Sequence, residues 1–385
     1  MKSNFTHIKK KRIEFGEVKI GQTAINHLLD ACKSNWISSG PKVIEFENRW
    51  EETFNIDYAI ALSSGTDSCI QMCLTLYEAM KARPGDEIIV PALSFIATSN
   101  AVRAAGFTPV FVDICLETLN IDESKIEEAI TDRTIAIMPV HTMGRMCEMD
   151  TICDIAKKNN LMVLEDACEA HGASFKGKSV GHWGDMAAYS FYIAHMICCG
   201  EGGLVSTNHK YLKDIIQSTK SHGRSGLYFD HPRFGLNAKM NDLEASIGLE
   251  GMDNFKEFFS KRRDNVKYLR TRLDKFSHLV WFSEEDQGNV NCPHGFSVTL
   301  KKPGQRHLLT NSLDKHGVHW KRNFGCIPTQ HAAFNGWYTD HSLGDFPNAE
   351  HVGDNGIHVG VHQYLTKEDL DIISLSIEEG LSKVT

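Results

Sequence analysis

Leu161-Met162-Val163-Leu164 runs directly into Glu165-Asp166-Ala167-Cys168-Glu169, and this junction decides how the chain is read. Four consecutive apolar residues mark a strand buried on both faces, the habit of parallel sheets covered by helices. Carboxylates at its carboxyl end stand where open parallel sheets bind their ligands. Working outward, similar runs occur at Ala59-Ile60-Ala61-Leu62, Glu87-Ile88-Ile89-Val90, Pro109-Val110-Phe111-Val112 and Ile135-Ala136-Ile137-Met138. Helical patterns over 66–82, 94–105, 122–130 and 149–159 separate them, and two further strands are expected near 186–192 and 203–207. This alternation predicts an α/β fold with a mostly parallel, seven-stranded sheet and flanking helices. After about residue 206 the rhythm changes. Helices over 211–219 and from 241, a charged amphipathic segment over 256–276, strands at 295–300 and 317–320 and a closing helix at 367–381 predict a smaller α+β unit. The expected division is a large domain, 1–250, and a small C-terminal domain, 251–385.

With 385 residues, 42% of them apolar and 23% charged, the composition is that of an ordinary globular protein. The 41 Lys and Arg against 49 Asp and Glu give a net charge of −8, which argues against nucleic acid as a partner. Lys9-Lys10-Lys11-Arg12 reads as a solvated face, and no apolar run near it is long enough for a signal peptide or a membrane span. A cytoplasmic chain without a membrane partner is expected. Eleven cysteines with no C-x-x-C spacing point to reduced thiols rather than a disulfide framework. Neither Cys69 and Cys73 nor Cys198-Cys199 has the usual spacing of a zinc site, so no metal is expected.

The candidate chemistry lies at strand ends. Ser63-Ser64-Gly65-Thr66-Asp67-Ser68 opens a helix whose free N–H groups suit a phosphate, although the same residues make an ordinary N-cap. A buried Asp166 requires a cationic partner, and the protonated nitrogen of a pyridine ring, as in pyridoxal phosphate, supplies one. Ser190-Phe191-Tyr192-Ile193-Ala194-His195 leads to Gly200-Glu201-Gly202-Gly203, a polar loop between two strands. Phe95, after Pro91-Ala92-Leu93-Ser94, either stacks on a flat cofactor or packs in the core.

These segments are collinear with Ile37-Ser38-Ser39-Gly40-Pro41-Lys42-Val43, Pro139-Val140-His141-Thr142-Met143-Gly144, Glu169-Ala170-His171-Gly172 and Phe234-Gly235-Leu236-Asn237. Together they resemble the DegT family of nucleotide-sugar aminotransferases and dehydratases, a branch of the type I pyridoxal-phosphate fold. The resemblance implies that Gly65, Thr66 and Ser190 hold the cofactor phosphate and that Phe95 stacks on the ring. It places Asp166 at the pyridine nitrogen and Glu169 beside the ring hydroxyl. Asn237 falls where the family reaches across a dimer interface to the neighbour's phosphate, which implies a homodimer with shared active sites.

The sixth residue of the Ser190 segment is the Schiff-base lysine in the family's aminotransferases, and here it is His195. Imidazole cannot form that bond, so the cofactor would be held non-covalently, while proton transfer survives. The same replacement marks the family's 3-dehydratases of nucleotide-linked 4-keto-6-deoxy sugars. The resemblance therefore implies a dehydratase in which pyridoxamine phosphate meets the C4 ketone, His195 serves as acid and base, and an amino donor such as glutamate restores the aminated cofactor. An atypical aminotransferase-like enzyme and a non-catalytic binding protein are the alternatives. His222 and Arg224, in Ser221-His222-Gly223-Arg224, match a segment near the substrate, or else form a surface loop. Lys321 stands where the dehydratases have an Arg, and His362 in Gly360-Val361-His362-Gln363 echoes a segment near the end of some of them. Some relatives carry an iron–sulfur cluster; Cys168 matches one of its positions, but residues 221–240 supply no others.

Overall fold

The computed structural model describes residues 12–226, 229–334 and 340–385. Its strands are β1 (Tyr58–Leu62), β2 (Glu87–Pro91), β3 (Thr108–Val112), β4 (Thr134–Ile137), β5 (Met162–Asp166), the short hairpin β6 (Ser174–Phe175) and β7 (Lys178–Ser179), β8 (Met186–Ser190), β9 (Gly203–Thr207), β10 (Val280–Phe282), β11 (Gly295–Leu300), β12 (Trp320–Arg322) and β13 (Gly356–Gly360). Seven of them form one sheet in the order β1-β9-β8-β5-β4-β2-β3. It is mostly parallel, with β9 antiparallel to both β1 and β8. Alternation along the strands explains the continuous apolar runs. Ile89, Ile137 and Val163 point into one core, while Ile88, Val90, Ala136 and Leu164 point into another on the opposite face.

Helices α1 (Gln22–Ser34), α2 (Pro41–Phe54), α3 (Gly65–Ala79), α4 (Ala97–Ala104), α5 (Met149–Lys158), α6 (Lys210–Thr219) and α7 (Asp242–Asp253) accompany this sheet. The long α8 (Phe255–Leu273) then leads to a second, antiparallel sheet in the order β10-β11-β13-β12. Leu269 and Leu273 of α8, Leu309 and Leu313 of α9 (Arg306–His316), and Ile373 and Ile377 of the closing helix Lys367–Leu381 close a third core against that sheet. Ile13, near the start of the described chain, joins this core and bridges to Val318.

Three expected elements are corrected. The segment 122–130 forms two 3₁₀ turns, Glu123–Lys125 and Glu127–Ala129, instead of a helix, because Ile126 alone is buried there. The helix expected from residue 94 starts at Ala97, leaving Ser94 to Ile96 to line a cavity. The strand expected over 317–320 begins only at Trp320, because Gly317 ends α9 in the left-handed conformation (φ 73°).

Candidate active site

A cavity of about 520 Å³ opens at the carboxyl ends of the parallel strands. Gly65, Thr66, Phe95, Asp166, Glu169, Ser190, His195 and Lys321 all line it, so segments more than 250 residues apart in the chain converge there. Each is delivered by its element. Ser64 caps α3, its hydroxyl oxygen accepting from the Asp67 N–H at 3.0 Å, and the N–H groups of the first turn have no intrahelical acceptor. Gly65 is needed for close approach, since a Cβ there would lie 2.5 Å from Ser190 Cβ. A Cβ on Gly203 would meet the Ser64 carbonyl oxygen at 2.1 Å, which explains the small residues of the polar loop.

The carboxylates ending β5 divide by strand alternation. Glu165 faces away from the cavity and accepts from the N–H groups of Trp183 and Gly184 at 3.2 and 2.7 Å, while His141 Nε2 lies 3.0 Å away. Asp166 turns into the cavity, buried, and accepts from the Thr98 hydroxyl at 2.7 Å and the Cys168 N–H at 3.3 Å. Both donors are neutral, so an uncompensated carboxylate faces the cavity. That donor set fits a protonated ring nitrogen. Phe95, 63% exposed, presents an open aromatic face, its ring centroid 6.5 Å from that of Phe324.

Glu169 accepts from the Met143 N–H at 2.7 Å and lies 3.4 Å from His294 Nε2. Burial, assisted by the Asp166 charge, raises its carboxyl to about 7, against the lowering pull of the Met143 N–H and Lys321. His195 sits in the loop after β8, where its N–H bonds the Tyr192 carbonyl at 2.9 Å. Burial drives its imidazole well below the ordinary value, and His171, Arg262 and Lys321 push the same way. It is neutral at pH 7, as a base must be, and its Nδ1 has no partner among the described residues. Lys321, on β12, has its ammonium 4.2 Å from the Phe15 ring centroid and its pKa lowered by burial.

Four expected site residues lie apart from this cavity. Asn237 is exposed and bonds Lys239; the Arg224 guanidinium stacks on the Phe229 ring at 4.8 Å; His222 occupies a left-handed turn (φ 63°). His362 is buried, its carbonyl accepting from Asn265 at 3.1 Å. Sequence reasoning did not find His294 and His358, which enter from the second sheet and line the cavity. It paired Cys69 with Cys73, whereas Cys69 meets Cys168. These two sulfurs and an Asp166 oxygen lie within 4.8 Å of one another, and the Cys168 thiol is pushed well up by its hydrogen bond with Cys69 and by burial.

A pyridoxal-phosphate aminotransferase fold is what this sheet, helix terminus and Asp–aromatic cavity define. The chain belongs to the DegT/DnrJ/EryC1/StrS aminotransferase family, whose model matches residues 18–378. It is 32% identical to GDP-perosamine synthase of Caulobacter vibrioides, covering 96% of this chain and 98% of that protein. It is 31% identical to GDP-4-keto-6-deoxy-D-mannose 3-dehydratase of Escherichia coli O55:H7, covering 91% and 94%. The solved structure of an E. coli GDP-4-keto-6-deoxy-D-mannose-3-dehydratase with bound hydrated PLP superposes with a TM-score of 0.87 at 26% identity, covering 95% of this chain and 99% of that one. No helix among the described residues is long and apolar enough to cross a membrane.

Proposed function

We propose that the chain binds pyridoxal or pyridoxamine phosphate non-covalently and removes the C3 hydroxyl of a nucleotide-linked 4-keto-6-deoxyhexose. The observation that carries this reading is His195. A half-buried, neutral imidazole lines the same cavity as Asp166, at the position where the family resemblance puts a lysine. When bound, pyridoxamine phosphate supplies an amine for the C4 ketone and a pyridinium that accepts electrons. The first turn of α3 and Ser190 would receive the phosphate, Phe95 would cover the ring, and Asp166 would keep the ring nitrogen protonated. His195 takes a proton on the cofactor side and delivers it to the departing C3 oxygen, so one imidazole acts as base and then acid. Glu169, its carboxyl raised to about 7, would sit beside the ring hydroxyl. An amino donor such as glutamate restores the amine consumed in each turnover.

The domain division at 250/251 and a cytoplasmic location belong to the same proposal, as does a homodimer in which Asn237 serves the neighbour's site. Trp36, Ile37 and Ile44 are each more than half exposed around α1 and α2, which suits a covered dimer face. His222 and Arg224 are assigned to substrate contacts only within such an assembly, whereas His362, buried within the protomer, would reach substrate only if its surroundings opened.

One observation favours a second reading. Lys321 is a lysine in the cofactor cavity with a pKa lowered by burial, the property of an amine able to react with an aldehyde. Incubation with pyridoxamine phosphate, glutamate and a panel of nucleotide 4-keto-6-deoxy sugars, read by mass, separates the readings. Dehydration followed by hydrolysis removes one oxygen from the sugar, and amino transfer exchanges oxo for amino. A binding protein changes neither. Borohydride treatment of the pyridoxal phosphate form should leave no cofactor on Lys321 if the first reading holds.

A further inference from the structure

Helix α8 presents Arg262, Asn265 and Leu269 to the interior. Arg262 is 1% exposed. A guanidinium at such depth normally meets a carboxylate, because an isolated buried charge is costly. Here the acceptors are all neutral. Nε donates to Gln363 Oε1 at 2.9 Å, Nη1 to the carbonyls of Ala194 at 3.1 Å and Pro293 at 3.4 Å, and Nη2 to the His195 carbonyl at 2.9 Å. One side chain thus ties the backbone of His195 to α8, to the approach to β11 that carries His294, and to the turn after β13.

We infer that Arg262 is a positioning residue for His195, fixing the backbone of its loop and setting beside it a positive charge that no carboxylate among the described residues pairs with. This rests on the reading of His195 as the working base. A neutral side chain could bond one or two of these carbonyls without the cost of a buried charge; the fork spans three and adds the charge.

The groups facing His195 come from four elements. They are His171 from the turn after β5, Arg262 from α8, His294 from the approach to β11 and Lys321 from β12. His294 in turn meets Glu169 and His358. Around Arg262 itself stand the Cys198, Cys292 and Tyr364 side chains, and burial pushes both thiols up. Burial is the first cause that lowers the His171 and His294 imidazoles, and Arg262 adds to it at both.

The test follows the histidine ring resonances of isotopically labelled full-length protein through a pH titration, assigned with His195→Asn, alongside turnover against pH. Arg262→Gln removes the charge and should raise the His195 pKa by on the order of one unit, moving the acid limb of the turnover profile upward with it. Arg262→Lys keeps the charge but loses the fork. It should leave the His195 titration in place and cut kcat by about 10²-fold through misplacement of the loop. If Arg262→Gln does not fold, Gln363→Leu releases one arm of the fork with the charge retained, and should lower kcat about tenfold with the pH profile unmoved. An unmoved His195 titration in folded Arg262→Gln, or parental kcat in Arg262→Lys or Gln363→Leu, overturns the inference. The ring titration is read whether or not any sugar is converted. A protein that turns over no sugar yet shows the shift would therefore refute the proposed reaction alone.

Discussion

Lowering the pH from 7 to 5 should destabilise the cofactor-free fold well before its carboxylates titrate in bulk, because of its buried imidazoles. His171, His358 and His362 are each 3% exposed or less. Burial comes first among the causes that lower them, to about 3, about 3 and about 4. The unfolded chain binds a proton at each ring below about pH 6.5, whereas the native chain stays unprotonated until far lower. Stability is therefore complete above pH 6.5 and is lost as the pH falls. At pH 5 each ring costs about 2 kcal/mol, a figure fixed by the 1.5-unit distance from 6.5 and insensitive to how low the native value lies. Glu169 has the opposite sign. Its native carboxyl, raised to about 7, binds a proton that the unfolded chain lacks, so protonation returns about 2 kcal/mol over the same interval. These three losses against this one return leave about 4 kcal/mol of loss from the four groups, and His195 and His294, lowered well below the ordinary value, add to it in the same direction. Urea unfolding at pH 7, 6 and 5 reads it, provided the transition is reversible. The sharper test is His171→Phe, which places a ring of similar size among Trp50, Tyr189 and Phe191. That variant should lose about 2 kcal/mol less than the parent between pH 7 and 5, whatever its stability at pH 7. Identical pH slopes for variant and parent would refute the reasoning.

His195→Asn should retain the cofactor, checked by its absorbance after gel filtration, and lose turnover by roughly 10²- to 10⁴-fold; parental turnover would remove His195 from the chemistry. Gly65→Ala should weaken binding of pyridoxamine phosphate by about tenfold or more, because the new Cβ lies 2.5 Å from Ser190 Cβ and overpacking of this kind costs about 1–3 kcal/mol. Calorimetric titration measures it, and unchanged affinity would place the phosphate elsewhere.

The large sheet was legible because its strands are buried on both faces, which leaves an apolar run with no polar alternation to misread. Asp166 was legible for the opposite reason, as a charge at the end of such a run. The second sheet's contribution was not. His294 precedes an ordinary apolar strand and His358 lies within one, and nothing local distinguishes a histidine that lines a cavity from one that fills a core. Arg262 was hidden most completely. It stands in Lys261-Arg262-Arg263 on a helix whose many charges read as a solvated face, and only the packing of α8 shows that Arg262 turns inward while Arg263 reaches Glu285 at 2.6 Å. A helix's phase against a distant loop is tertiary information, which propensity and spacing do not carry.

The charges of the site point to one direction of proton flow. Asp166 is a carboxylate turned into the cavity, and Glu169 has its carboxyl raised to about 7, so Asp166 carries the negative charge where, on the proposed reading, a pyridinium would sit. The cations, Arg262 and Lys321, lie toward His195 and His294, and both rings are kept neutral beside them. An imidazole in such surroundings accepts a proton only against repulsion, so the protonated form is short-lived and returns its proton to the nearest forming anion. A departing hydroxyl is such an anion. The same repulsion would merely handicap a residue meant to hold a proton at rest. A lysine at position 195 would place a second amine beside Lys321 and the Arg262 guanidinium and favour a neutral nucleophile for covalent attachment. With histidine there, the arrangement favours a base that takes a proton briefly and gives it back to a leaving group.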